Sequence, residues 1–132
     1  MKLDKILVEI SPGEMIDKIT ILSIKSDMIS DEDKLKNINY EHSILLKTRD
    51  KFLPQSPELE KLSFNLREIN EKLWKIEDEI RDCENRKDFS KTFIDLARAV
   101  YITNDERSNI KREINLLLGS KLIEEKSYQS YQ

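Results

Sequence analysis

The sequence is poor in the residues that interrupt helices and in those that cross-link chains. It contains two glycines and three prolines in 132 residues, too few for an architecture of many β-hairpin turns. Its one cysteine, Cys83, has no partner for an internal disulfide, which predicts a reducing, cytoplasmic location. No apolar run approaches the ~18 residues of a spanning helix, so the sequence predicts no membrane partner.

An excess of charge of one sign is also missing. The chain has 23 basic and 26 acidic residues, for a net charge of −3. Because nucleic-acid binders usually carry a strong basic excess, this near-balance predicts that nucleic acid is not a partner. The N-terminal stretch MKLDKILVEI contains Asp4 and Glu9 and lacks a small-residue cleavage site, so it is not predicted to be a signal peptide.

The common motifs of catalytic and nucleotide-binding sites are absent. The sequence has no P-loop, no G-x-G-x-x-G, no H-E-x-x-H, no C-x-x-C pair and no G-x-S-x-G. Its one histidine, His42, has no second histidine or free cysteine pair with which to share a zinc ion, and a structural or surface role is favoured. The sequence therefore predicts no cofactor, and it leaves open whether the protein is an enzyme.

Carboxylate pairs occur on single helix faces. Glu14 and Asp17 are three residues apart, as are Glu68 and Glu71, and Asp78 follows two turns later. Such pairs on facing helices can hold Mg²⁺ or Mn²⁺. Helical nucleotide pyrophosphatases, however, place their two acidic motifs close together, whereas about 50 residues separate these pairs. The favoured interpretation is a capping glutamate and solvated helix flanks, and no metal is predicted.

A long heptad pattern occupies residues 57–86. Apolar side chains recur there at alternating spacings of three and four, namely Leu59, Leu62, Leu66, Ile69, Leu73, Ile76, Ile80 and Cys83. This seam predicts a helix of about 45 Å whose apolar face is covered by another helix or another chain. Ser56 is predicted to cap it, with Pro57 at its first position. Trp74 lies off the seam, so either another helix covers it or it belongs to a partner-binding patch.

Two further segments precede the central helix. Residues 5–10 (KILVEI) predict a short strand, paired either with residues 121–128 or with the same strand of a second copy. Residues 12–53 predict a helical region that opens with a capping box between Ser11 and Glu14. Its apolar residues spread over more than one face, which predicts packing between neighbours. The residues that carry this pattern are Met15, Ile19, Ile21, Leu22, Ile24, Met28 and Ile29.

The turns decide how these segments are connected. The SDED stretch at 30–33 leaves open whether 12–53 is one helix or two. The prolines of FLPQSP at 52–57 end the helix and force a turn. This predicts a helical hairpin in which 32–53 runs up and 57–86 runs back. A third long helix is predicted over 89–118, capped by Asp88 and ended by Gly119.

That third helix is favoured as continuous over the alternative of a break at TNDE, where Thr103 and Glu106 match a capping box. Continuity places Thr103 and Arg107 in a polar layer on an otherwise apolar seam. Residues 120–132 predict a polar tail. The predicted fold is a single all-α domain over 1–132, an elongated antiparallel bundle of helical hairpins with a short N-terminal strand at 1–10.

An arginine on a buried seam requires a partner. Because an unpaired buried charge is costly, Arg107 is expected either to pair with Asp17 or Asp78 or to bind an anionic ligand. Arg98, Tyr101, Asp105 and Arg112 share one stripe of the third helix, and Lys111 accompanies Arg107 on the next. With Lys18 or Lys25 from another helix, these residues could hold a phosphate or a carboxylate.

Three blocks are specific in combination: ISPGEMIDKITIL at 10–22, LREINEKLWKIEDEIR at 66–81, and FIDLARAVYITNDERSNIKREINLLLGSKLIEEKSY at 93–128. Together they resemble a family of short bacterial proteins, also found in marine phages, that is catalogued only as a domain of unknown function. The resemblance implies a helical, intracellular protein with no established activity. It also implies a shared site formed by Glu14, Asp17 and Lys18 of the first block and Arg98, Tyr101, Thr103, Asn104, Asp105 and Arg107 of the third.

Two functions remain open on these grounds. The leading hypothesis is a non-enzymatic protein-interaction or scaffold module that acts as a homodimer, through a helix seam or through strand pairing. The alternative is a small helical enzyme or binding protein for a phosphate- or carboxylate-bearing metabolite, with or without a divalent metal ion. In that alternative Arg98, Arg107 and Lys18 are the charge partners, and Asp17 or Asp105 is the acid, base or metal ligand. Asp78 is a further candidate site residue.

Overall fold

Four α-helices follow one another in the computed structural model, which describes residues 1–131. Helix α1 spans Pro12–Met28, α2 spans Glu32–Phe52, α3 spans Pro57–Asn85 and α4 spans Lys91–Leu117. The described residues contain no strand, and the predicted all-α class is confirmed. Within this part of the chain, no helix is both long enough and apolar enough to cross a membrane.

Side-chain caps set the start of the first three helices. Ser11 Oγ accepts from the Glu14 backbone N–H at 3.2 Å, and Ser56 Oγ accepts from Leu59 in the same way at 3.1 Å. Asp31 Oδ1 caps α2 by accepting from the Lys34 backbone N–H at 2.9 Å. Each bond satisfies an N–H that the helix itself leaves free. The predicted helical region 12–53 is therefore two helices.

Helix α4 begins later than predicted and ends where predicted. Asp88 does not cap it. Its Oδ1 accepts from the Ser90 backbone N–H at 3.0 Å, which closes a turn before the helix. At the other end Gly119 has φ 64°, and the Ser120 N–H donates to the Asn115 carbonyl at 2.9 Å. This is the geometry of a glycine-terminated helix. Between these ends the helix is continuous through Thr103.

Helix α1 is the element against which the others pack. It contacts α2, α3 and α4, as the spread of its apolar residues predicts. Helix α3 packs against α4, but α2 contacts α1 alone, so the predicted hairpin between 32–53 and 57–86 is wrong. The physical reason is burial: α2 has one fully buried side chain, Ile38, whereas the α3 seam faces α1 and α4.

The predicted seam on α3 faces inward. None of its eight side chains is exposed, and Leu66 is 0% accessible. Leu59 and Leu66 form a core cluster with Ile16 of α1 and Ile114 of α4. The seam is thus covered by helices of the same chain, and Trp74 beside it is partly buried.

The predicted N-terminal strand is wrong. Residues 1–10, hereafter the N-terminal arm, have no regular secondary structure and are exposed throughout. A strand requires a second strand to pair with, and residues 121–128 do not provide one, since the tail lies along α4 instead. The last residue of the predicted tail, Gln132, lies outside the described residues.

Candidate functional site

A buried ion pair joins α1 to α4. The Asp17 carboxylate is 1% exposed, and it accepts from Arg107 Nε at 2.9 Å and from Arg107 Nη2. Two parallel N–H···O bonds between a guanidinium and a carboxylate form the bidentate pair that arginine geometry favours. Of the expected partners of Arg107, the structure brings Asp17 to it.

Helix α3 supplies a further donor to the same carboxylate. Asn70 Nδ2 donates to Asp17 Oδ1 at 2.9 Å and to Thr20 Oγ1 at 2.8 Å. Asn70 is itself 5% exposed. Because Asp17 accepts hydrogen bonds from both α3 and α4, its charge is compensated and the three helices are tied together at one point.

Lys111 extends this cluster towards the C-terminal tail. Its Nζ lies 2.7 Å from Glu14 Oε2, 3.9 Å from Asp17 Oδ2 and 3.5 Å from Glu124 Oε2. The Glu14 carboxylate is thus engaged by α4, and among the described contacts only the Ser11 half of the predicted capping box forms.

The protonation of the two cations follows from these contacts. The hydrogen bond to Asp17 raises the pKa of Arg107 above its ordinary value and outweighs the effect of burial. Burial lowers the pKa of Lys111, but the hydrogen bond to Glu14 and the charges of Asp17, Glu14 and Glu124 outweigh it, so that pKa is raised. Both side chains are therefore charged at neutral pH.

Gly13 lets α1 approach α4 closely. Its backbone N–H donates to Asn115 Oδ1 at 2.8 Å. A Cβ atom at this position would lie 2.5 Å from the Lys111 carbonyl oxygen, closer than real Cβ contacts. The glycine of the SPGE string is therefore explained by helix packing, which aligns Glu14 and Asp17 with their partners on α4.

Thr103 is buried one turn before Arg107. It is 1% exposed, and its Oγ1 has no hydrogen-bond partner among the described residues. The alternative capping box with Glu106 does not form, because α4 is continuous there. An unsatisfied buried hydroxyl costs free energy that an apolar side chain of the same shape does not.

The other candidate residues lie elsewhere. Lys18 projects from α1 to an exposed pair with Glu41 of α2, at 3.9 Å. Asp78 and Arg98 are exposed. Of the three cations expected to bind an anion together, Arg98, Arg107 and Lys18, the structure pairs Arg107 with Asp17 and Lys18 with Glu41 instead.

Three candidates line a second surface, between α4 and the tail. Tyr101, Asn104 and Asp105 face an open groove of about 1020 Å³. Tyr131 closes one end, where its hydroxyl donates to Asp105 Oδ2 at 2.6 Å and its ring packs 5.2 Å from Tyr101. The hydrogen bond to Asp105 raises the pKa of Tyr131. At the other end Glu125 pairs with Arg112 at 3.1 Å.

Several residues that contact Asp17, Lys111 or Gly13 were not predicted. Asn70 follows Ile69 directly and carries no signal in a pattern of apolar spacings. Asn115 and Glu124 likewise have no distinguishing spacing. Lys111 lies four residues after Arg107, on the same side of α4, and that spacing is the signal in the sequence that points to it. Among residues 1–131, no three His, Cys, Asp or Glu side chains are arranged to hold a metal ion.

Comparison with known proteins identifies a family and no function. A family model described as a family of unknown function (DUF6165) matches residues 6–131. Neither a curated protein nor a solved structure matches the chain significantly. The matched range contains all four helices, the buried cluster and half of the N-terminal arm. The chain therefore belongs to this family of unknown function, DUF6165.

Proposed function

We propose that this chain is a non-enzymatic protein-interaction module that works as a homodimer. The observation that carries the proposal is the N-terminal arm. Its consecutive side chains Ile6, Leu7 and Val8 are 75%, 82% and 77% exposed. Contiguous exposed aliphatic groups are unfavourable in water, and they mark surfaces that another chain covers.

Exposed aromatic side chains on the helices add support. Phe52 and Phe64 are 68% and 61% exposed, near the turn that joins α2 to α3. Phe89, just before α4, and Ile94, in its first turn, are each 53% exposed. Large apolar side chains are enriched in the buried centres of protein interfaces.

The anionic-ligand function receives less support. A free guanidinium in a concave site would favour it, but Arg107 gives its Nε and Nη2 to Asp17. Lys111 is surrounded by three carboxylates, those of Glu14, Asp17 and Glu124. A phosphate at this cluster would have to displace or neutralise these groups, which is unfavourable electrostatically.

The test is the mass of the intact chain in solution, measured by light scattering across a concentration series. The proposal predicts a mass of two copies that falls towards one copy on dilution. A thermal-shift panel of nucleotides, sugar phosphates and divalent ions serves as the companion measurement, because a ligand that binds only the folded state raises its midpoint. A one-copy mass at every concentration contradicts the proposal, and a ligand-specific shift with that mass favours the metabolite-binding alternative.

A further inference from the structure

The C-terminal tail is attached to α4 at two places. Near the start of the tail, Glu125 pairs with Arg112 at 3.1 Å. At its end, the Tyr131 hydroxyl donates to Asp105 at 2.6 Å. The tail residues between these contacts, 126–130, are exposed and not helical. The open groove of about 1020 Å³ therefore has α4 as one wall and the tail as the other.

The groove is long as well as open. Along α4 its lining extends from Val100 to Arg112, about 18 Å at the rise of an α-helix. Sites for small molecules usually measure about 300–1,000 Å³, so this volume lies at the upper end of that range. Its size suits a ligand made of several units. No described residue of the N-terminal arm lines the groove, so binding here does not depend on the homodimer proposed above.

The charged side chains of the groove are already paired. Each carboxylate of the lining has at least one partner in the same chain. These contacts join Glu124 to Lys111 and Lys126, Glu125 to Arg112, and Asp105 to Tyr131. The lining holds three carboxylates and two cations, so it has no positive excess that would attract an anion. A cation would have to compete with the partners that the carboxylates already have.

The lining also carries neutral polar groups that are not engaged. No hydrogen bond joins the side-chain amides of Asn104, Asn109 or Gln129 to another residue of the described chain. An amide offers two N–H donors and a carbonyl acceptor without net charge. It therefore suits a ligand whose own groups both donate and accept, as hydroxyl groups do. An apolar ligand would remove these amides from water without giving them partners, which is unfavourable.

Three tyrosines give the groove flat apolar surfaces. Tyr101 and Tyr131 are 43% and 49% exposed, and their rings meet edge to face at 61°. Because such a contact covers at most one face of a ring, each ring keeps a face that the other does not cover. Tyr128 on the tail is 80% exposed, with Lys126 Nζ 5.5 Å from the centre of its ring. A tyrosine combines an apolar ring with a polar hydroxyl.

We infer that the groove between α4 and the tail binds a neutral oligosaccharide. A sugar ring has an apolar C–H face bordered by hydroxyl groups, and the groove places tyrosine rings beside unengaged amides. The paired charges of the lining offer no such match to an anion or a cation. The length of the groove corresponds to a chain of sugar rings rather than to a single one.

Titration of the intact ¹⁵N-labelled chain with three trisaccharides tests the inference, with backbone amide signals followed by NMR. The probes are maltotriose, mannotriose and triacetylchitotriose. We expect saturable shifts from at least one of them, concentrated in residues 100–112 and 124–131. The absence of a saturable shift from all three overturns the inference, as do shifts that lie outside these two segments.

Three further probes separate the sugar from other ligand classes. Inorganic phosphate represents an anion, tetramethylammonium a cation and trialanine a peptide, and each is titrated in the same way. A saturable shift in the groove from any of these, without one from a trisaccharide, overturns the inference.

Substitutions in the groove provide the second measurement. Tyr101→Ala should raise the dissociation constant of the bound trisaccharide about tenfold, since the sugar loses an aromatic surface. Asn104→Ala should also weaken binding, and it leaves the contact between Tyr101 and Tyr131 intact. The matched control is Tyr40→Ala, because Tyr40 lies on α2, outside the groove, and is 71% exposed. It should leave the affinity unchanged. Parent-like affinity in both groove variants, or an equal loss in Tyr40→Ala, overturns the inference.

Discussion

Arg107 and Asp17, 90 positions apart in the chain, are held together by a bidentate pair across the α1–α4 interface. The Asp17 side chain is 1% exposed and that of Arg107 is 27% exposed. The carboxylate is therefore shielded from water, whereas part of the guanidinium remains in contact with it. Loss of Asp17 removes the carboxylate partner of Arg107, and loss of Arg107 leaves the buried Asp17 carboxylate with Lys111, 3.9 Å away, as its nearest cation.

Asp17→Asn should lower the free energy of unfolding by about 3–5 kcal/mol, the usual cost of breaking a buried ion pair. Urea unfolding of the variant and the parent measures this difference. Lys18→Met is the matched control: it breaks the neighbouring exposed pair with Glu41 and should cost no more than about 1 kcal/mol. Equal midpoints for Asp17→Asn and the parent would show that the pair does not stabilise the fold.

Gly13→Ala should be more destabilising than a typical overpacked core substitution, which costs about 1–3 kcal/mol. The new Cβ would meet the Lys111 carbonyl at 2.5 Å, and a backbone atom of a long helix cannot move aside as a side chain can. Gly119→Ala provides the comparison. No atom lies within 4 Å of its Cβ position, so its cost comes from the positive φ alone, about 1–2 kcal/mol. A smaller loss at Gly13 than at Gly119 would contradict the close approach of α1 to α4.

Thr103→Val should stabilise the protein. The substitution keeps the shape of the side chain and removes a buried hydroxyl that has no partner among the described residues; leaving such a group unsatisfied costs about 1–3 kcal/mol. Thr103→Ser, which keeps the hydroxyl and removes the methyl group, should destabilise. Calorimetric midpoints distinguish the two directions, and a lower midpoint for Thr103→Val would mean that the hydroxyl makes a favourable interaction.

The protein should lose stability in alkali as the Lys111 ammonium loses its proton. The pKa of Lys111 is raised in the folded state. Its contribution to the free energy of unfolding is therefore complete below the pKa of a lysine in the unfolded chain, about 10.4. That contribution disappears as the pH rises through the pKa of the folded state. The difference in unfolding free energy between the parent and Lys111→Met should therefore be constant near neutrality and shrink in strong alkali. Subtraction removes the titration of the other lysines and the tyrosines. A difference that grows with pH would contradict this sign.

The parts of the fold that follow from local pattern were predictable. The spacing of three and four on α3, the serine caps and Gly119 each act within one or two turns of helix. The pairing of helices was not, because the prolines between α2 and α3 end one helix without fixing the direction of the next. The arm is a third case: its β-branched side chains favour a strand, but a strand exists only with a partner, and the single chain offers none among its described residues.

Only part of the candidate site was predictable from local sequence. A charged residue on a seam must be compensated, and that requirement limits the partner of Arg107 to Asp17, Asp78 or an anionic ligand without deciding among them. The hydrogen bonds of Asn70 and Asn115 depend on how α1 is oriented between α3 and α4. Gly13 sets that orientation, and nothing in the local sequence states which backbone it approaches.

Sedimentation equilibrium of the unmodified chain beside Leu7→Asp tests most directly whether the exposed arm serves to join copies. We predict the mass of two chains for the former and, at the same concentration, a mass close to that of one chain for the latter, with the helical content of the two unchanged. A single-chain mass for the unmodified protein at every concentration would contradict the proposed function.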